Sequence, residues 1–219
     1  MRKVIVSAFV SLDGVMQAPG GPQEDTAGGF RLGGWTFPYF DEALGGVMGE
    51  MFTRRFDLLL GRKTYDIFAA HWPHVGADDP IGKLFGDVTK HVATRNPDFR
   101  FDWRNSRSLG PDAVAEVKRL KAGDGPDLLT QGSSDFIQTL FANDLVDELT
   151  ALTFPVVLGG GKRLFRDGAA AHAFTLTSHV VSGTGVMVGK YAKAGAVQIG
   201  SFQIDPPTEA EAERRKTQG

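Results

Sequence analysis

Apolar and polar positions along this chain fall into blocks that suit alternating strands and helices for most of its length, then strands alone near the end. Residues 3–12 (KVIVSAFVSL) carry almost no charge after the first position and are rich in β-branched side chains. That pattern predicts a strand buried on both faces and central in a sheet. Asp13-Gly14 closes it with a turn. Residues 41–55 set Leu44, Val47, Met48, Met51 and Phe52 along one side of a helix. Gly45, Gly46 and Gly49 weaken that helix by about 1 kcal/mol each, or let a ligand or strand come close.

Residues 57–60 (DLLL) predict a short buried strand, and residues 64–70 a short helix with Thr64 as its N-cap. Residues 90–94 read as a further strand, stopped by Arg95-Asn96-Pro97. Residues 111–121 predict a helix: Pro111 stands in its first turn, Ala113, Val114, Val117 and Leu120 share a side, and Gly123 lies past its end. Residues 127–130 and 145–154 suit strands. Between them, residues 133–142 suit a helix that turns Phe136, Ile137, Leu140 and Phe141 to the core. Residues 172–204 hold β-rich runs broken at Gly183-Thr184-Gly185 and at Gly195, which fits antiparallel strands closing the sheet.

This rhythm predicts one three-layer α/β domain over residues 1–204 with a mixed sheet. The tail, residues 205–219, is polar and charged without apolar periodicity and is expected to be disordered. Residues 20–34 are rich in glycine and proline and long for a passive connection, so they form either an active-site loop or a disordered insertion.

Composition narrows the function. A chain of 219 residues buries a substantial single core. A net charge of −2 supplies no general field for nucleic acid or an anionic membrane, so any bound phosphate must be held by local groups. Absence of cysteine removes disulfides, thiolate metal sites and cysteine nucleophiles. No apolar stretch approaches the roughly 20 residues that cross a bilayer, and the N-terminal run is too short for a signal peptide. A cytoplasmic protein is the expectation.

The candidate chemistry sits in strand-to-helix turns. Leu128-Leu129-Thr130-Gln131-Gly132-Ser133-Ser134 leads a strand through small residues into a helix, whose N-terminal amides and dipole favour an anion. Plain capping by Ser133 or Ser134 fits the same pattern. Gly61-Arg62-Lys63-Thr64 repeats the arrangement with two cations, which suit a phosphate or simply a solvated loop. Thr94-Arg95 ends a third strand, and Arg95 suits a ribose 2′-phosphate. Gly159-Gly160-Gly161 permits close passage of a cofactor or a tight bend. The three spaced glycines of an ordinary dinucleotide fold are missing, as is the serine-hydrolase elbow. The histidines are spaced for no metal centre: His71 and His74 flank Trp72-Pro73, while His91, His172 and His179 stand apart.

Taken in order, Ser11-Leu12-Asp13-Gly14, Gly61-Arg62-Lys63-Thr64-Tyr65, Gln131-Gly132-Ser133-Ser134, Leu145-Val146-Asp147-Glu148-Leu149 and residues 155–165 form a recognisable set. The set resembles the reductase family of the C-terminal domain of the bifunctional riboflavin-biosynthesis deaminase–reductase, itself dihydrofolate-reductase-like. The resemblance spans roughly residues 3–192 and implies a dihydrofolate-reductase-like α/β fold with a mixed, mostly parallel sheet and an antiparallel C-terminal end. It also implies NADPH as hydride donor, a small heterocyclic substrate of pteridine or ribosylaminouracil-phosphate type, and a homodimer.

On this resemblance Gly61, Arg62, Lys63 and Thr64 hold adenosine-side phosphates, with Thr94 and Arg95 close by. Gly132, Ser133 and Ser134 carry the pyrophosphate, and Gly159 and Gly160 pass near the cofactor. Asp13 and Gly14 border the nicotinamide and substrate pocket, and Asp13 and Asp41 are the candidate proton donors. Gln131 departs from the pattern, standing where relatives carry a first glycine. The alternatives are a regulatory protein that binds a nucleotide without catalysis, and a structural dimer module with no ligand.

Overall fold

The structure, a computed structural model, describes residues 1–217. Strand β1 (Val4–Ser11) is central, pairing along both edges with β5 (Asp127–Thr130) and β6 (Glu148–Phe154), both parallel, and its two faces are buried in the cores on either side of the sheet. Outward from β5 come β2 (Phe56–Gly61), β3 (Lys90–Ala93) and the edge strand β4 (Ser106–Ser108), all parallel. Beyond β6, β8 (Met187–Gly195) and β7 (Ala173–Val181) complete an eight-stranded sheet in the order β4-β3-β2-β5-β1-β6-β8-β7. Only the β6–β8 and β8–β7 pairings are antiparallel among the named strands, so the sheet is mostly parallel, as the resemblance implies, with the antiparallel end that the sequence pattern predicts.

Strand side chains alternate between the two faces. Val4, Val6, Ala8 and Val10 face a core built with Val117 and Leu120 of α4 (Ala113–Ala122) and Ile137, Leu140 and Phe141 of α5 (Ser134–Ala142). Ile5, Leu58, Leu60 and Leu129 face the opposite core. Tyr65 of α2 (Arg62–His71), Phe85 of α3 (Pro80–Asp87) and Phe52 of α1 (Glu42–Thr53) pack there. Three layers result, with α1 to α3 on one face and α4 and α5 on the other.

Several local expectations change. Thr64 is not the N-cap of α2: β2 runs straight into the helix, Gly61 takes the cap position, and Thr64 is buried inside the first turn. Helix α3 was not expected; Asp79 caps it by accepting the Gly82 amide at 2.7 Å and Pro80 opens it. Its signature, a capping acid followed by proline, is present in the sequence but short. Leu145 and Val146 precede β6 instead of belonging to it, and are buried beneath α5. The tail, expected to be disordered, carries α6 (Glu209–Lys216), which buries no residue and is laced by Glu211–Arg214 and Glu211–Arg215 pairs.

Helix α3 is tied to the sheet through Lys90. This lysine is fully buried, and its Nζ donates to the carbonyls of Phe85 at 2.7 Å, Gly86 at 3.1 Å and Val88 at 3.0 Å. The ammonium also lies 4.3 Å from the Trp103 ring centroid. A cation at a helix C-terminus offsets the dipole and satisfies carbonyls left open there. Lys90→Met strands these acceptors, and urea unfolding should show a loss of about 2–4 kcal/mol. Unchanged stability would refute this anchoring role.

Candidate functional site

Parallel pairing brings the predicted turns to one edge of the sheet. Gly61 aligns with Ala93, so Thr94 and Arg95 emerge beside the Gly61 turn. Strand β5 is the other neighbour of β2, which sets the Gly132 turn against the Gly61 turn. The two turns interlock: the Gly61 amide donates to the Gly132 carbonyl at 3.1 Å. A Cβ on Gly61 would fall 2.2 Å from Ser133 Oγ, and one on Gly132 would fall 2.4 Å from Thr64 Oγ1. Glycine is therefore required at both positions by close approach. Helix α5 starts at this junction with Ser133 in the N-cap position and no side-chain capping bond.

The junction opens into a cavity of about 1140 Å3. One part of its wall is polar: Lys63 and Thr64 of α2, Gly132, Ser133 and Ser134, and Lys162. Another part is apolar and aromatic, formed by Met48 and Phe52 of α1, Phe68 and Trp72, and Ile81 and Leu84 of α3. The long segment 20–34 supplies a further wall through Gly20 to Asp25. It is fastened in place: Trp35 Nε1 donates to the Gln17 carbonyl at 2.8 Å, and Thr36 Oγ1 to the Pro19 carbonyl at 2.7 Å. Gln17 Nε2 donates to the carbonyls of Asp25 at 3.0 Å and Ala27 at 2.9 Å, and Lys162 pairs with Asp25.

Neither predicted proton donor lines this cavity. Asp13 accepts from Ser11 Oγ at 2.6 Å and from the amides of Leu158 at 3.1 Å and Gly159 at 2.9 Å. The Ser11 bond first, then the Leu158 amide, hold its carboxyl down at about 2. Asp13 thus ties the end of β1 to the glycine loop after β6. Asp41 caps α1 by accepting the Leu44 amide at 3.0 Å and receives Thr184 N–H at 3.3 Å, which keeps its pKa low.

The remaining predicted residues divide. Lys63, Thr64, Gly132, Ser133 and Ser134 line the cavity, whereas Gly61 lies behind the junction. Arg62 points away from that wall, paired with Asp66 at 2.6 Å and 5.6 Å above the Phe99 ring. Arg95 is exposed, and Thr94 Oγ1 accepts the Asn96 amide at 3.1 Å. Gly160 lines a smaller recess of about 470 Å3 with Gly28, Phe30 and Leu158, while Gly159 is fixed by Asp13.

Residues 2–188 match the RibD C-terminal domain family. The chain belongs to that family. A Bacillus subtilis (strain 168) protein of uncharacterised role, YyaP, is similar at 28% identity over 171 residues, covering 76% of this chain and 81% of the relative. Among solved structures, a protein provisionally assigned to riboflavin biosynthesis from Shewanella sp. PV-4 superposes with a TM-score of 0.61 at 20% identity. That match covers 88% of this chain and 99% of the Shewanella protein. Dihydrofolate reductase from Enterococcus faecalis, complexed with NADP(H) and RAB-propyl, gives a TM-score of 0.56 at 13% identity over 87% of this chain and 96% of its own. The deaminase/reductase of Thermotoga maritima gives 0.58 at 13% identity, over 88% of this chain and 57% of its own. At these identities the structures establish the shared dihydrofolate-reductase-like fold.

The RibD C-terminal fold of this chain also carries cavity residues that the sequence reading passed over. These are Gln17, Glu24, Asp25, His71 and Lys162. A carboxylate pair inside a glycine-rich loop, Glu24-Asp25, was the available signal. Burial raises Asp25, but the Lys162 bond and the Ala27 amide outweigh it and hold the carboxyl below its ordinary range.

Two outcomes follow from this junction and its fastening. Gly132→Ala forces a Cβ against Thr64 at φ +154°, and chemical denaturation should show a loss of about 2–4 kcal/mol. Stability equal to the parent protein would contradict the interlock. Asp13 is lowered from 3.8 when folded, so its contribution is present above 3.8 and fades as pH falls toward about 2. Asp13→Asn should flatten the decline in stability across that window, measured by urea titrations at either end of it. An unaltered acid limb would show that Asp13 does not fasten the loop.

Proposed function

We propose that this chain is an NADPH-dependent reductase of a small heterocyclic substrate. The observation that carries the reading is the cavity itself. It joins an α5 N-terminus with no side-chain cap, flanked by a lysine and two serines, to an aromatic chamber on the same strand edge. Ligands of open α/β sheets gather at the carboxyl ends of the strands, where helix N-termini favour phosphate.

The donors fit a dinucleotide. Gly132 presents no side chain, the α5 amides and the hydroxyls of Ser133 and Ser134 suit a pyrophosphate, and Lys63 with Thr64 suits a neighbouring phosphate. Thr94 and Arg95 stand farther along the same edge, where Arg95 suits a ribose 2′-phosphate. When bound, NADPH would supply the hydride. The protein's part is to align donor and acceptor and to exclude water. The apolar wall of Met48, Phe52, Phe68 and Trp72 performs the exclusion. Membership of the RibD C-terminal domain family, and the NADP(H) bound by the structurally similar Enterococcus enzyme, support the cofactor choice.

A homodimer belongs to the same reading. Leu176, Val180, Val181 and Met187 expose apolar surface on the β7–β8 hairpin at the sheet's edge, and a solution mass measurement would test the pairing.

NADPH should raise the melting temperature by mass action, and NADH should raise it less. Lys63→Ala should weaken NADPH binding about tenfold through loss of a charge-assisted contact. Absence of any shift at millimolar NADPH would overturn the assignment. A shift without turnover of any pteridine or pyrimidine would favour a regulatory nucleotide-binding protein.

A further inference from the structure

Gln17 and Gln131 both stand in the cavity wall, and the chain uses them differently. Gln17 commits its whole carboxamide to the fold: Nε2 donates to the carbonyls of Asp25 and Ala27, and Oε1 accepts the Lys162 amide at 2.9 Å. Gln131 is half-buried and commits none of its own. The bonds of its turn run between Thr130 and Gly132 and pass it by, and its carboxamide has no partner among the described residues. Where the family resemblance expects glycine, this chain therefore carries a donor and an acceptor that the fold does not use.

Strand geometry fixes the side on which this group stands. Leu128 faces the α4–α5 core and Leu129 the opposite one, so Gln131 falls on the side where α1 to α3 wall the cavity. The register sets Ile5 beside Leu129 and Val6 beside Thr130; one residue farther, Ser7 comes alongside Gln131 on that same side. Ser7 is only 2% exposed, and its Oγ has no hydrogen-bond partner among the described residues. An enclosed hydroxyl without a partner lowers stability, because water satisfies it in the unfolded chain. Its cross-strand neighbours are Gln131 and Thr150, and of these only Gln131 lines the cavity. The cavity residues from β1 and α1, among them Phe9, Met48 and Phe52, are otherwise largely apolar. A planar ring that seals this chamber removes the water on which the Gln131 carboxamide depends. Only a ring edge with a donor beside an acceptor restores both bonds, and an edge lacking either leaves a buried polar group stranded.

We propose that Gln131 is a specificity-determining residue that reads a lactam edge, the adjacent N–H and C=O of a neutral heterocycle, and that Ser7 positions its carboxamide. This rests on the reading that the seam holds the cofactor's phosphates, which leaves the ring on the aromatic side to be the substrate. A glutamine matches such an edge in one plane: its oxygen accepts the N–H and its nitrogen donates to the C=O. Ser7 is enclosed and reaches the ligand only through Gln131.

Calorimetry on the NADPH-free protein tests this without turnover, using three probes of one shape. Isoquinolin-1-one presents the lactam edge, and its N-methyl derivative blocks the N–H. The cation of 1-aminoisoquinoline presents two donors and no acceptor. The lactam should bind about tenfold tighter than the N-methyl compound. Gln131→Leu should bring that ratio within about twofold, whereas a preference set only by the bulk of the methyl group would survive. Gln131→Glu offers acceptors alone, and should bind the cation about tenfold tighter than the parent protein does.

Ser7→Ala separates positioning from packing. Removing a hydroxyl that has no partner should leave the melting temperature of the free protein undiminished, yet cut the lactam ratio about threefold. In a Gln131→Leu background the same change should leave the ratio where it was. A lactam preference that survives Gln131→Leu, equal binding of lactam and N-methyl compound by the parent protein, or no binding of any probe would overturn the assignment. A Ser7→Ala effect of the same size without Gln131 would overturn the positioning role. The cofactor reading fails separately, by absence of an NADPH melting shift in the parent protein, because probe preference is read with no cofactor present.

Discussion

The structure turns on the contact between two glycine turns. Gly61 ends β2 and Gly132 lies two residues past the end of the adjacent parallel strand β5, and each lies so close to the other's helix that a single methyl group would strike Ser133 or Thr64. That contact sets the start of α2 against the start of α5, and the cavity opens from the seam. The cavity's depth comes from the same source, since α1 and α3 pack on the face of the sheet that α2 covers. Lys90 then holds the end of α3, which forms the far wall.

A division of charge follows. Helix N-termini and lysines gather at the seam, whereas the segment 20–34 brings carboxylates in from above. One of these is spent on Lys162 to fix the segment, and the other remains with an oxygen free. A net charge of −2 would not by itself favour a phosphorylated ligand. Local amides and lysines supply the attraction where it is needed, which is the arrangement expected when whole-molecule electrostatics contribute little.

Much of this was legible in the sequence because it depends on short-range rules. The uncharged run of β1 announced a central strand, and the strand-to-helix turns were readable from glycine followed by small or basic residues. The resemblance implied a mostly parallel sheet, but neither the strand order nor the register that sets Gly61 against Gly132 could be read. Thr64 looks like a helix cap in isolation and becomes a buried packing residue only because Gly132 leaves it room. Asp13 and Asp41 show a different limit. A carboxylate near a pocket in sequence can cap a backbone amide or face a ligand, and the choice depends on distant chain: Leu158 and Gly159 for Asp13, Thr184 for Asp41. Glu24 was hidden for the converse reason, in a segment whose composition suits an active-site loop or a disordered insertion equally, and only its bonds to Gln17 and Lys162 decide.

The central claim is that the seam between α2 and α5 is the phosphate end of a cofactor cavity, with the aromatic chamber beyond it for the substrate. Amide NMR during an NADPH titration tests this most directly, since it reports position as well as binding. The account predicts that the largest shifts fall on Lys63, Thr64, Gly132, Ser133 and Ser134, with smaller ones along α2 toward His71. Shifts concentrated elsewhere, at the Gly28–Gly160 recess or on the β7–β8 hairpin, would contradict it.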